Sequence, residues 1–239
     1  TNWCAVNNFY LNQLKNTHWE ITGLENLTRK NWHLVIANHQ SWMDVVILQR
    51  VFNHKIPVLK FFVKDQLKWI PFFGFAWWAM GCPFMKRYSK EYLMRKPHKQ
   101  GKDLQATSKA IDTFKRTPAS IMNFVEGTRF TSSKKEQQNS PYTHLLKPKA
   151  GGISFIISNM GQQISSLLDV TIIYSEKKHS LWDFLCKRVR AVKINIREIP
   201  IPAQFKSSKL INDNQMQLEF KDWLNQQWIE KDNLIASLK

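Results

Sequence analysis

Cysteine is scarce in this 239-residue sequence: Cys4, Cys82 and Cys186 are scattered, odd in number and form no CxxC pair. Neither a disulfide framework nor a zinc site is indicated, and a reducing environment fits best. Long hydrophobic runs are missing too, since no stretch reaches the ~18 apolar residues that a spanning helix needs. The nearest, WIPFFGFAWWAMGCPFM at 69–85, is uncharged but broken by Pro71, Gly74, Gly81 and Pro83. No G-x-S-x-G elbow, P-loop, HExxH or GxGxxG occurs. A covalent serine mechanism, nucleotide hydrolysis, zinc hydrolysis and dinucleotide redox chemistry therefore lack support. There is no internal repeat, low-complexity tract, RRM, KH or zinc-finger pattern, which weighs against nucleic acid as the partner.

Acidic residues are also few. Eighteen Asp and Glu face 35 Lys and Arg, leaving a net charge of +17. Such an excess calls for an anionic partner: a lipid headgroup surface, a nucleic acid or a phosphorylated small molecule. What is plentiful is apolar and aromatic. Hydrophobic residues make up 43% of the chain, enough for one large domain spanning 1–239 with a real core. Ten Trp is a high count, and Trp favours places where an apolar body meets a wet edge, membrane interfaces included. The 69–85 run, preceded by the basic and aromatic KFFVKDQLK, fits either a buried core segment or a surface that dips into lipid.

Along the chain, branched apolar runs alternate with helical patterns. WHLVIAN (32–38), IPVLKFFV (56–63), SIMNFV (120–125) and LLDVTIIY (167–174) read as strands. VRAVKINIREIPIP (189–202) alternates in part and reads as an edge-type strand. Helices are expected after Ser41 as N-cap, over 102–116, from Gly151-Gly152 through ISFIISNMG, and from about 210 to the end. In that last helix, apolar residues at 216, 220, 224, 228, 235 and 238 share one face. The polar TSSKKEQQNSPYTH (131–144) reads as a loop. The pattern predicts an α/β fold with a mixed, partly parallel sheet flanked by helices. In such sheets chemistry gathers at the carboxyl ends of strands, so NHQSWMD after Asn38 and EGTRF after Val125 are expected at one edge.

His39 and Asp44 lie five positions apart at a strand-to-helix junction. A first-turn carboxylate can fix the tautomer of such a histidine and stabilise the imidazolium formed on proton uptake. The same spacing has a structural reading, because Ser41-x-x-Asp44 before an apolar run is a capping box. A base without an evident protein nucleophile points to direct transfer onto a bound hydroxyl. Two more clusters follow: GCPFMKR (81–87), with Lys86 and Arg87, and FVEGTRF (124–130), with Glu126, Gly127, Thr128 and Arg129. Arginine suits phosphate because its planar fork donates two parallel charge-assisted bonds.

In this order and spacing the three blocks resemble the motif series of the PlsC-like lysophospholipid acyltransferase (1-acyl-sn-glycerol-3-phosphate acyltransferase) family. The resemblance covers residues 31 to about 176, followed by a strand and amphipathic helix over about 189–238. FMKRYS and LLKPKAGGISFIISNMG are similar to a gammaproteobacterial branch of probable acyltransferases. Two departures stand out: Asp169-Val170-Thr171 replaces the usual Val-Pro of the last block, and Gln66 stands where an acid is common.

The resemblance implies a glycerolipid acyltransferase fold and transfer of an acyl group from acyl-CoA or acyl carrier protein to the sn-2 hydroxyl of a lysophospholipid. It makes His39 the general base, Asp44 its partner, and Arg87 and Arg129 the phosphate ligands. Lys86 would help them, and Glu126, Gly127 and Thr128 would belong to the same subsite. Lys64 or backbone amides after His39 would hold the oxyanion, and segment 61–85 would wall the acyl chain and contact the membrane. The resemblance requires no metal or tightly bound cofactor, and it implies an anionic membrane surface at the cytoplasmic face of the inner membrane. Two alternatives stay open: a catalytically silent lipid-binding peripheral protein, and an acyltransferase for lysophosphatidylglycerol or lysocardiolipin.

Overall fold

A computed structural model of the chain describes residues 17–70, 73–85, 95, 102–176 and 180–239. Its centre is β2 (Trp32–Ala37), in which Leu34, Val35, Ile36 and Ala37 have no exposed surface. A strand buried on both faces reads as a continuous apolar run, and WHLVIA is one. In chain order the sheet-forming elements are β1 (His18–Thr22), β2, β3 (Leu59–Phe61), β4 (Val63–Lys64), β5 (Phe84–Met85), β6 (Ser120–Phe124), β7 (Ile164–Tyr174) and β8 (Ala191–Ile199). Six of them form one sheet in the order β1-β8-β7-β2-β6-β3, while β4 and β5 pair separately. Every pairing is parallel except β7 with β8.

The helices are α1 (Met43–Val51), α2 (Phe73–Ala79), α3 (Lys102–Phe114), α4 (Ser132–Gln137), α5 (Ala150–Met160), α6 (Leu181–Leu185) and α7 (Asn214–Leu238). The pleat divides their packing. Val35, Ala37, Val170 and Ile172 face α1 and join Ile47, Leu48 and Val51 in one core cluster. Leu34, Ile36, Leu167 and Ile173 face the other way and pack with Ile111, Ile156, Phe220, Leu224 and Trp228 from α3, α5 and α7. The sheet is therefore a middle layer with helices on both faces, and the α/β expectation holds.

Three local expectations are corrected. The strand read as an edge, β8, is interior, because β1 pairs along its outer side. Its alternation reports one well-buried face, Val192, Ile194 and Ile196, rather than an open edge. The 131–144 loop contains α4, capped where Thr131 Oγ1 accepts from the Lys134 amide at 3.2 Å. The strand expected over 56–63 is shorter and divides between two sheets, as β3 and β4.

The aromatic segment answers both of its readings. Phe61 meets Trp77 edge to face at 5.3 Å, and Ala76, Met80 and Cys82 are buried. From the other side Trp69, Phe75 and Trp78 project with 79%, 71% and 68% of their surface exposed. Lys68 lies over the Trp69 ring, and Phe75 and Trp78 touch each other. No helix among the described residues is long and apolar enough to cross a membrane.

Candidate active site

β2 and β6 run side by side with Ala37 opposite Phe124, so the loops after Asn38 and Val125 leave the sheet at one edge. Asn38 prolongs the β2–β7 ladder with its side chain: its amide donates to Ile172 O and accepts from Ile172 N, both at 2.9 Å. The next residue, His39, is thereby placed just past the strand end. Its ring stacks on Phe124, with centroids 4.0 Å apart and planes inclined by 17°.

His39 Nδ1 lies 2.7 Å from Asp44 Oδ2. A carboxylate only accepts, so Nδ1 carries a proton, and in the neutral ring the lone pair is on Nε2. Among the described residues nothing bonds Nε2, and the side chain retains 17% exposure. Asp44 is wholly buried and held from every side. Its Oδ2 also accepts from the amides of Gln40 (2.7 Å) and Ser41 (2.9 Å), and its Oδ1 accepts from the Tyr174 hydroxyl. Burial, followed by the Asp44 charge, pushes the Tyr174 hydroxyl well above its usual range, so it remains a donor. Sequence reasoning did not find Tyr174; its place at the end of β7, beside the β2 terminus, was the available signal.

The capping box expected with Ser41 as N-cap does not form, because the N-cap of α1 is Trp42, which makes no side-chain cap bond. Asp44 accepts from the Ser41 amide as the pattern requires, but Ser41 Oγ accepts from the Met43 amide at 3.2 Å instead of from Asp44. The carboxylate thus braces the turn that leads into α1 and orients His39 at the same time. Of the amides after His39 expected as oxyanion donors, those of Gln40 and Ser41 are committed to Asp44.

The 126–129 loop is tied to the His39 loop by the main-chain bond from Phe130 N to His39 O, 2.7 Å. Gly127 has φ +69°, and a Cβ there would lie 3.1 Å from the Lys149 ammonium, so the turn after β6 favours glycine. Lys134 Nζ bonds Thr128 Oγ1 at 2.7 Å and Arg129 O at 3.1 Å. The exposed Arg129 guanidinium rests over Trp42, 5.1 Å from the ring centroid. Arg129, Lys134 and Lys149 therefore give this rim a positive character.

Glu126 departs from its expected place in a phosphate subsite. Its side chain is fully buried and directed inward, and neither carboxylate oxygen finds a partner in ordinary hydrogen-bond geometry. Burial pushes the carboxyl up to about 8, against the His39 amide, the Lys231 charge and the Leu146 amide, which favour the ionised form. Lys231 is the other residue that sequence reasoning missed. It sits on α7 between Trp228 and Ile235 on the apolar stripe, with no exposed surface, and its ammonium lies 2.7 Å from Asp169 Oδ1. The stripe has a gap at 231 that this buried lysine fills.

Lys86 and Arg87 lie outside the described residues, as does the Lys64 side chain, whose backbone belongs to β4. Among the described residues no group of three or more His, Cys, Asp or Glu side chains is placed to hold a metal ion.

Comparison with known proteins places this geometry in context. A family model described as "Acyltransferase" matches residues 18–175. An uncharacterized acyltransferase of Schizosaccharomyces pombe is 28% identical over 228 residues, covering 86% of this chain and 59% of that protein. The 1-acyl-sn-glycerol-3-phosphate acyltransferase epsilon of Mus musculus is 22% identical over 228 residues, covering 84% of this chain and 56% of that protein. The chain thus spans a little over half the length of these two relatives. The crystal structure of PlsC, the 1-acyl-sn-glycerophosphate acyltransferase of Thermotoga maritima, superposes with a TM-score of 0.58 at 16% identity, over 95% of this chain and 78% of that one. That likeness is one of fold.

Proposed function

The chain belongs to the acyltransferase family, and from that premise we propose that it moves a fatty acyl group from acyl-CoA or acyl carrier protein to the free sn-2 hydroxyl of a lysophospholipid such as lysophosphatidic acid. The observation that carries this reading is the 2.7 Å bond from His39 Nδ1 to a buried Asp44, which leaves Nε2 as a base at the strand edge. Nε2 takes the hydroxyl proton as that oxygen attacks the thioester carbon, and the Asp44 charge stabilises the imidazolium. The tetrahedral adduct collapses with the thiolate leaving, and a thiolate needs no strong general acid. Glu126, fully buried behind the turn that carries Thr128 and Arg129, is given no direct phosphate contact in this reading.

Arg129, with Arg87 and Lys86, is assigned the acceptor phosphate, and the Lys134 bonds to Thr128 and Arg129 keep that loop in shape. Lys64 is retained as an oxyanion donor. The ledge of Trp69, Phe75 and Trp78 beside basic residues supports work at an anionic lipid surface; the cytoplasmic face of the inner membrane is assigned as part of the proposal, from the family resemblance alone. The reading needs no cofactor.

Thiol release from acyl-CoA with lysophosphatidic acid is the test, run beside a panel that includes lysophosphatidylglycerol and lysocardiolipin. Near-wild-type turnover by His39→Ala would overturn the base assignment. The exposed ledge also fits a catalytically silent lipid-binding protein. Liposome binding with no thiol release from any acceptor selects that alternative.

A further inference from the structure

Trp42 is used neither by the core nor by the helix it introduces. It is the N-cap of α1, a position that favours Ser, Thr, Asp or Asn, and its side chain makes no cap bond. The turn is braced without it, by Asp44 Oδ2 on the Gln40 and Ser41 amides and by Ser41 Oγ on the Met43 amide. Met43, Ile47, Leu48 and Val51 of α1 are buried in one core cluster, whereas Trp42 belongs to neither cluster and keeps 56% of its surface exposed. A ring of this size left in water forgoes the burial that ordinarily accounts for a tryptophan.

What the ring does meet is the Arg129 guanidinium, 5.1 Å from its centroid. Arg129 takes part in no salt bridge among the described residues. The main chain at its root is pinned on both sides: Lys134 Nζ donates to Arg129 O at 3.1 Å, and Phe130 N donates to His39 O at 2.7 Å. The arginine is thus fixed at its base by hydrogen bonds and at its tip by an aromatic face, across the gap between the two loops of the site. An aromatic face attracts the charge of a guanidinium and spends none of its N–H donors. Those donors form the fork that fits two oxygens of a phosphate. A side chain already held in place also has less rotamer freedom to lose when the anion arrives.

We propose that Trp42 is a positioning residue that makes the site selective for phosphate-bearing acceptors: its ring holds the Arg129 guanidinium ready at the rim for the anion. The link to turnover rests on the acyl-transfer reading of the site; the link to anion binding rests on the Arg129 contact.

The experiment measures equilibrium binding of a water-soluble, short-chain lysophosphatidic acid to the full chain without acyl-CoA. Monoacylglycerol of the same chain length, which lacks the phosphate, is the comparison. Trp42→Leu keeps an apolar side chain without a π face, Trp42→Phe keeps a smaller π face, and Arg129→Ala removes the cation. Trp42→Leu is expected to bind lysophosphatidic acid about fivefold more weakly and monoacylglycerol as wild type does, with Trp42→Phe in between. In an Arg129→Ala background the same change at Trp42 is expected to cost nothing further. In turnover, the KM for lysophosphatidic acid rises about fivefold in Trp42→Leu while kcat stays near wild type. Unchanged binding of lysophosphatidic acid by Trp42→Leu overturns the proposal. Equal weakening for both ligands also overturns it, because Trp42 then serves the glycerol or the acyl chain. So does a loss that persists in full without Arg129. The expected binding pattern in a protein that releases no thiol from any acceptor leaves the Trp42–Arg129 relation standing and sinks the acyl-transfer reading instead.

Discussion

Replacing Asp44 by Asn separates the charge of this residue from its shape. The carboxylate is fully buried and accepts four bonds, three on Oδ2 from His39, Gln40 and Ser41 and one on Oδ1 from Tyr174. An asparagine whose oxygen takes the Oδ2 position can still accept the first three, with its NH2 turned to the Tyr174 oxygen. The tautomer of His39 and the start of α1 are then preserved, and the negative charge is what disappears. Two unit charges about 4 Å apart interact by about 4 kcal/mol at an effective dielectric of about 20. Only the part that grows as the imidazolium forms acts on the rate, on the order of 2–3 kcal/mol, or roughly 30- to 160-fold in kcat. Thiol release at saturating acyl-CoA and lysophosphatidic acid measures this, with melting as the control for folding. An Asp44→Asn protein within about threefold of wild-type kcat would refute the claim that this charge assists proton transfer.

Other perturbations follow from the same geometry. Tyr174→Phe strips the donor from Asp44 Oδ1 and should destabilise the fold by about 1–3 kcal/mol in denaturant titration; an unchanged midpoint refutes the bond's importance. Gly127→Ala forces a side chain into φ +69° against Lys149, and a loss of about 1–2 kcal/mol is expected. Glu126 titrates at about 8 folded against 4.5 unfolded, so its protonated form contributes stability in full below 4.5 and loses it as pH rises to about 8, at about 1.4 kcal/mol per pH unit. The melting advantage of Glu126→Gln over wild type should therefore widen between about pH 5 and pH 9, and a constant gap contradicts the burial. Trp69→Ala/Phe75→Ala/Trp78→Ala should lose sedimentation with anionic vesicles while its melting temperature holds; retained sedimentation removes the ledge from the lipid surface.

The strands at the centre were legible because burial on both faces leaves a simple mark, seen in WHLVIA and SIMNF. β1 was not, since HWEIT is short and half exposed and has little apolar content to show. Charge inside the sheet layer was illegible for a different reason. Asp169 was visible as a departure from the family's last block, but a carboxylate in an apolar strand does not say which cation answers it from 62 positions later in the sequence. The His39 and Asp44 spacing was legible as a question only; the ring stacking on Phe124 and the Tyr174 bond depend on neighbours that spacing cannot reveal. Glu126 was misplaced because its motif names a loop, not the direction in which each side chain leaves it.

The bond from Phe130 N to His39 O has no side chain in it. Almost any substitution at either position leaves both of its atoms in place, so the distance between the two loops is insulated from ordinary mutation. Proline at 130 is the exception, because it alone removes the hydrogen. Sequence drift can therefore remodel the walls of this site, and with them the choice of acceptor, without changing how far apart its two halves stand.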